Sequence, residues 1–163
     1  MKEVYRSKEE ILDKISSLAS RISSMPDKEN ISVICLLGGG IYFFSDLVKK
    51  LEFPLITDFL AFNPCDNNKI EITLDLTHDV LGRDLIIIED VLDDLRSAKN
   101  LIEEIEKRNP KSLKIFALFA QKETTIEENR IEAFWQFEGG WLKGYGMGDR
   151  GFDRNLEDIY LAT

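Results

Sequence analysis

The chain is poor in cysteine, in positive charge and in long apolar runs, and each lack removes a class of protein. Cys35 and Cys65 are the only cysteines in 163 residues, and they have no metal-site spacing. Without secretory signs a disulfide is not expected, and Cys35, inside an apolar run, reads as a core filler. Lysine and arginine number 21 against 30 acidic residues, a net charge of −9. Nucleic acid and anionic membranes attract a basic face, so neither is an expected partner. The same surplus of carboxylates suits a metal-bound substrate. No apolar run reaches membrane-spanning length. The opening Met-Lys-Glu-Val-Tyr-Arg has no signal-peptide pattern, so the expected location is cytoplasmic. There are no internal repeats and no low-complexity tracts. What remains is 44% hydrophobic and 31% charged, an ordinary globular balance over a length that favours one domain.

Helices and strands alternate along this chain. Ser7 followed by Glu10 matches a capping box, and Ile11, Ile15, Leu18, Ala19 and Ile22 then fall on one helical stripe that Pro26 closes. Residues 31–37 read as a buried strand. It ends in Gly38-Gly39-Gly40, after which Phe43, Phe44, Leu47, Val48 and Leu51 predict a second helix. A strand, a glycine turn and a helix present free backbone amides to an anion, and a tight turn needs the same glycines. No Lys-Ser/Thr follows, so this is not a P-loop. A strand over residues 55–62, a polar loop over 63–68 and an alternating strand over 69–76 come next.

Leu85 to Ser97 is the densest stretch. Four apolar residues, three of them β-branched, run into Glu89, Asp90, Asp93 and Asp94. The apolar run suits a strand over 85–89 buried on both faces, with the acids beginning where it ends. Ligands of open α/β sheets bind beyond the carboxyl ends of the strands, so these acids stand where a site is expected. A helix over 97–108 with Leu101, Ile102 and Ile105 inward precedes Asn109-Pro110. Residues 113–120 form another buried strand, and Gln121, Lys122 and Glu123 follow at its end.

The last forty or so residues differ. Residues 131–137 alternate like a strand, and residues 139–151 carry six glycines around Trp141 and Tyr145. That pattern fits a backbone passing close to something flat, or an irregular loop with aromatic anchors. The whole reads as an α/β fold: a three-layer parallel sheet flanked by helices, with a small hood from the C-terminal and N-terminal residues. The expected parallel strands are 31–37, 55–62, 85–89 and 113–120. The expected single domain has its core over about 25–125 and its hood over about 126–163 plus the N-terminal residues.

Four motifs in order resemble the type I phosphoribosyltransferases, and within them the hypoxanthine-guanine phosphoribosyltransferases. Leu37-Gly-Gly-Gly-Ile-Tyr-Phe-Phe-Ser-Asp-Leu resembles the family's pyrophosphate loop. Ile86 to Ser97 resembles its phosphoribosyl-pyrophosphate (PRPP) signature. Leu118-Phe-Ala-Gln-Lys resembles the strand that carries a purine-reading lysine. Trp141-Leu-Lys-Gly-Tyr-Gly, followed by Arg154-Asn-Leu, resembles the hood. The resemblance implies a hood over a parallel sheet and a reaction of PRPP with a 6-oxopurine, giving a nucleoside monophosphate and pyrophosphate. It implies Mg2+ as cofactor and a homodimer or homotetramer. It also implies roles. Asp93 would take the proton from the purine. Glu89, Asp90, Arg96 and Ser97 would bind PRPP. Gly38, Gly39 and Arg154 would serve the pyrophosphate. Lys122, Trp141 and Leu142 would hold the purine, and Glu89, Asp90 and Asp149 the metal.

The departures fall on the PRPP side. Asp94-Leu95-Arg96-Ser97 replaces the family's Thr-Gly-x-Thr, placing a carboxylate where phosphate would sit and leucine where glycine would. Charges about 4 Å apart repel by roughly 4 kcal/mol at an effective dielectric of ~20; Arg96 can compensate. Gly38 stands where the family has lysine. The segment 63–69 is shorter than the family's flexible loop, and Pro64-Cys65 replaces its Ser-Tyr pair. Gly148 aligns with a metal-binding aspartate, with Asp149 one place later. The alternative reading is a catalytically degenerate paralogue that binds a purine or nucleotide as a regulatory or structural module. A receiver-like phosphoacceptor domain also ends a strand in acids, but the glycine-aromatic tail speaks against it.

Overall fold

Ser7 opens the first helix, α1 (Lys8–Ser23), through a complete capping box. Its Oγ accepts from the Glu10 amide at 3.3 Å, and the Glu10 carboxylate accepts from the Ser7 amide at 2.8 Å. The predicted stripe Ile11, Ile15, Leu18, Ala19 and Ile22 is buried. Burial of each large side chain there contributes about 1.5–3 kcal/mol. The computed structural model describes residues 3–65, 69–93, 95–121, 130–148 and 150–162.

The main sheet holds six strands. β2 (Ile31–Leu36), β3 (Ile56–Cys65), β5 (Asp84–Leu92), β6 (Ser112–Gln121) and β7 (Ile131–Phe137) are parallel, and β4 (Lys69–Leu74) is antiparallel at one edge. The spatial order is β4-β3-β2-β5-β6-β7. β5 is central and buried on both faces. Ile86 and Ile88 pack with α1 and with α2 (Ile41–Val48), while Leu85 and Ile87 pack with α3 (Leu95–Glu106). This two-faced burial is what a continuous apolar run encodes in a parallel strand. A second sheet of three antiparallel strands forms the hood, in the order β1 (Val4–Arg6), β9 (Ile159–Ala162), β8 (Trp141–Lys143). Asp158 links hood to core, its carboxylate accepting from the Lys8 amide at 2.8 Å. Carboxylates are favoured at a helix start because its first amides have no partner within the helix.

The structure corrects the sequence expectations at several boundaries. β3 runs to Cys65, so Asn63, Pro64 and Cys65 are strand, paired with Glu71, Ile70 and Lys69. β2 pairs with β3 only to Leu60, so Pro64 sits where β3 has one neighbour and the missing N–H is tolerated. β5 continues through the acids to Leu92, because β6 stays paired with it as far as Ala120. α3 begins at Leu95, not Ser97, which puts Arg96 and Ser97 in its first turn. Leucine is a good helix former. Lys107 and Arg108 follow the helix instead of closing it, and Asn109 turns the chain at φ 53°. Finally, residues 131–137 belong to the main sheet as β7, parallel to β6, and not to the hood.

Candidate active site

The carboxyl ends of β2, β5, β6 and β7 open beneath the hood. After β2 the chain turns through Gly38, Gly39 and Gly40 into α2. The turn depends on the missing side chain at Gly39. A Cβ there would lie 1.7 Å from Asp90 Oδ2, so the carboxylate of β5 rests directly on the turn's backbone. The hood reaches the same turn from above. A Cβ on Gly146 would lie 2.1 Å from the Gly39 carbonyl, and Gly146 itself has φ 94°. Gly144, Gly146 and Gly148 therefore serve close approach of protein backbone to protein backbone, while a Cβ on Gly139 or Gly151 would meet nothing within 4 Å. Between Gly144 and Gly146, Tyr145 is buried and donates its hydroxyl to Asp46 of α2 at 2.6 Å. Burial, then this bond, pushes the Tyr145 phenol above its ordinary pKa.

Strand alternation separates the two neighbouring acids. Glu89 follows Leu85 and Ile87 onto the α3 face, while Asp90 follows Ile86 and Ile88 onto the α2 face. They still interact at the strand's end, where Glu89 Oε1 accepts from the Asp90 amide at 2.9 Å. Loss of water, then the neighbouring Asp90 carboxyl and its charge, raises the Glu89 carboxyl well above the ordinary range. Asp93, one residue past β5, is also raised, first by desolvation and then by Asp90, against an opposing hydrogen bond from Gln121. Carboxylates repelling one another this way favour a bound proton. Cys35, on the floor below, is pushed up to about 12 by burial and then by Glu89 and Asp90, so it is an inert thiol.

A cavity of about 530 Å³ lies between these acids and the hood. Asp90 and Asp93 form one wall. Trp141, exposed at the rim, and buried Leu142 form the other. Arg154 supplies a cation, its guanidinium held by the Gly146 carbonyl at 2.7 Å. The space where a Cβ of Gly38 would stand is 3.7 Å from that same guanidinium. A smaller cavity of about 210 Å³ lies on the α3 side, lined by Glu89, Asp93 and Ser97 among apolar neighbours such as Leu36 and Leu101. Asp93 borders both. The structure thus gathers Gly38, Gly39, Glu89, Asp90, Asp93, Ser97, Trp141, Leu142 and Arg154 around one sheet edge. Arg96 is exposed on the first turn of α3 and lines neither cavity. Asp94, Lys122 and Asp149 lie outside the described residues, as does the Leu95 side chain. Sequence reasoning gave no role to Gln121, Phe137 and Met147, which line the larger cavity. The parallel register is the signal that finds Gln121, since it lies beside Asp93 once Leu92 pairs with Ala120.

Glu89 and Asp90 are hard oxygen donors, and their mutual repulsion fits them to a hard cation such as Mg2+. Among the described residues no group of three potential metal ligands is present. Such a cation would therefore keep water or substrate oxygens, which is usual for Mg2+.

A parallel sheet with acids at the end of its central strand, a glycine turn beside them and a hood above defines a phosphoribosyltransferase. The family model for the phosphoribosyl transferase domain matches residues 3–139, and the chain belongs to that family. Among curated relatives, the hypoxanthine-guanine phosphoribosyltransferase of Dictyostelium discoideum is 31% identical over 156 residues, covering 90% of this chain and 87% of that protein. That of Mycoplasma genitalium is 29% identical over 136 residues, covering 80% and 78%. Among solved structures, a hypoxanthine-guanine phosphoribosyltransferase from Bacillus anthracis superposes with a TM-score of 0.90 at 25% identity, covering 100% of this chain and 98% of that one.

Proposed function

We propose that this protein is a purine-salvage enzyme that joins a 6-oxopurine, hypoxanthine or guanine, to the ribose of PRPP. The products are a nucleoside monophosphate and pyrophosphate. The observation that carries this reading is the 530 Å³ cavity, with carboxylates on one wall, an aromatic and an aliphatic residue on the other, and an arginine at its edge. The relatives named above support the choice of base.

Each role follows from the chemistry of its residue. Trp141 stacks on the flat purine and Leu142 closes the apolar side. Lys122 is proposed to read the purine oxygen. Glu89 and Asp90 accept hydrogen bonds from the ribose hydroxyls. The amides of the 38–40 turn and the Arg154 guanidinium face the departing pyrophosphate. Ser97 and Arg96, at the start of α3, serve the 5′-phosphate. In the reaction the bond from ribose C1 to pyrophosphate breaks and a bond from C1 to the purine nitrogen forms. The purine's proton passes to Asp93. Cleavage leaves positive character on the sugar, and carboxylates at its hydroxyls stabilise that charge. Mg2+, held near Glu89 and Asp90 and proposed also at Asp149, would neutralise charge on the leaving pyrophosphate.

The chain is proposed to work as one domain in the cytoplasm. Among the described residues no helix is long and apolar enough to cross a membrane. It is further proposed to form a homodimer or homotetramer. Leu37, Ile41, Tyr42 and Phe59, exposed around α2 and β3, support a face for a second copy. Sedimentation equilibrium at micromolar concentration is expected to give a dimer or tetramer; a monomer contradicts this.

Turnover tests the main reading. With magnesium-PRPP and hypoxanthine, inosine monophosphate should accumulate. Tight binding of GMP by calorimetry with no PRPP binding and no product would favour the purine- or nucleotide-binding module instead.

A further inference from the structure

Asp93 has no strand to hold it, because β5 ends at Leu92 and the residue stands exposed at the rim of both cavities. A carboxylate that must meet a ring nitrogen needs a fixed direction, since small misplacements of a reacting group are costly. One neighbour supplies it. Gln121 is the last residue of β6, and Leu92 pairs with Ala120, so the parallel register sets Gln121 beside Asp93. Both side chains line the same cavity, where Gln121 opposes the rise that burial and Asp90 impose on the Asp93 carboxyl. Gln121 is itself well anchored. It is half-buried, and its backbone is in register with Phe137, the last residue of β7. Asp93, Gln121 and Phe137 thus form a row across three strand ends that lines the 530 Å³ cavity.

We propose that Gln121 is a positioning residue: its side-chain amide, fixed by the ends of β6 and β7, aims the Asp93 carboxylate at the bound base. The proposal rests on the purine phosphoribosyltransferase reading of Asp93. The amide suits the task because it can donate without carrying a charge, and its carbonyl and second N–H remain available to the cavity. A carboxylate in its place would repel Asp93.

A double-mutant cycle on the full-length protein tests this. Gln121→Leu keeps the size of the side chain and removes the donor. It should lower kcat for nucleotide formation by about tenfold, with KM for PRPP changed less than about twofold. Gln121→Glu should lower kcat at least as far. In an Asp93→Asn background, the further change to Gln121→Leu should alter the residual kcat by less than about twofold, because the group it aims is gone. Circular dichroism melting checks that each variant folds, and a folding loss in Gln121→Leu is bypassed by reading Gln121→Glu alone. A wild-type protein that turns over while Gln121→Leu matches it, or loses equally in both backgrounds, overturns the positioning role and leaves the enzyme reading standing. A wild-type protein with no turnover overturns both.

Discussion

At the scale of single residues, the site is built on contacts that leave no room for a side chain. Gly39 is the sharpest case, since a Cβ there would stand 1.7 Å from Asp90 Oδ2 and 2.5 Å from its Cγ. An alanine forces the carboxylate off the turn and away from the place proposed for the ribose. Gly38 offers a matched control, because its nearest contact would be ordinary, at 3.7 Å from Arg154. Gly39→Ala is therefore expected to reduce kcat/KM by about a hundredfold, while Gly38→Ala stays within about threefold. Steady-state kinetics on the two variants compares them directly, and equal losses would show that the Asp90 contact is not what matters. The three glycines were visible in the sequence, but not which of them mattered. That depends on Asp90, some fifty residues away, arriving beneath the turn. Glu89, Asp90, Asp93 and Arg154 were legible because acids after an apolar run and the Arg-Asn-Leu signature are local patterns. Gln121 was not, because its meaning lies in a register between two strands.

At the scale of elements, Asp58 shows how one buried carboxylate ties a strand to the loop that follows its neighbour. It sits in β3 and is only 4% exposed. It accepts from the Phe59, Thr77 and His78 amides at 2.8, 2.8 and 2.9 Å, and from the Thr77 hydroxyl at 3.0 Å, with the His78 ring also at 3.0 Å. Burial alone would raise its pKa, but these bonds outweigh burial and hold it at about 2. The folded value lies below the unfolded value of about 3.9, so the stabilisation is complete above that pH and is lost as pH falls through about 2. Asp58→Asn should cost about 2 kcal/mol at pH 7, with the gap to wild type closing towards pH 2. Urea melts at the two pH values measure it, and a gap independent of pH would contradict the assignment. The helices and the strands of the main sheet were well marked in the sequence, since periodicity and the Ser7 capping box are local. The short hood strands β1, β8 and β9 were not. The ends of β3, β5 and α3 were set by neighbouring strands and helix propensity, and those ends shifted by a few residues.

At the scale of the whole molecule, the hood is fastened to the glycine turn over residues 38–40 rather than resting loosely above it. Gly146 lies against Gly39, Tyr145 bonds Asp46, and Asp158 caps α1. The wall proposed to hold the purine and the turn proposed to hold pyrophosphate are thus registered to each other through backbone. The glycine-aromatic tail announced close approach, and its partner proved to be the protein itself. The layered α/β architecture is legible from alternating elements, whereas an alternating strand over 131–137 does not reveal which sheet it joins, and β7 joins the main one. The departures at Gly38 and at residues 94–97 make PRPP the substrate on which the account turns. The most direct measurement mixes the purified protein with magnesium-PRPP and hypoxanthine and follows inosine monophosphate and pyrophosphate together. Equimolar appearance of both is the predicted result. Neither product, with GMP still bound and PRPP not bound at all, would contradict it.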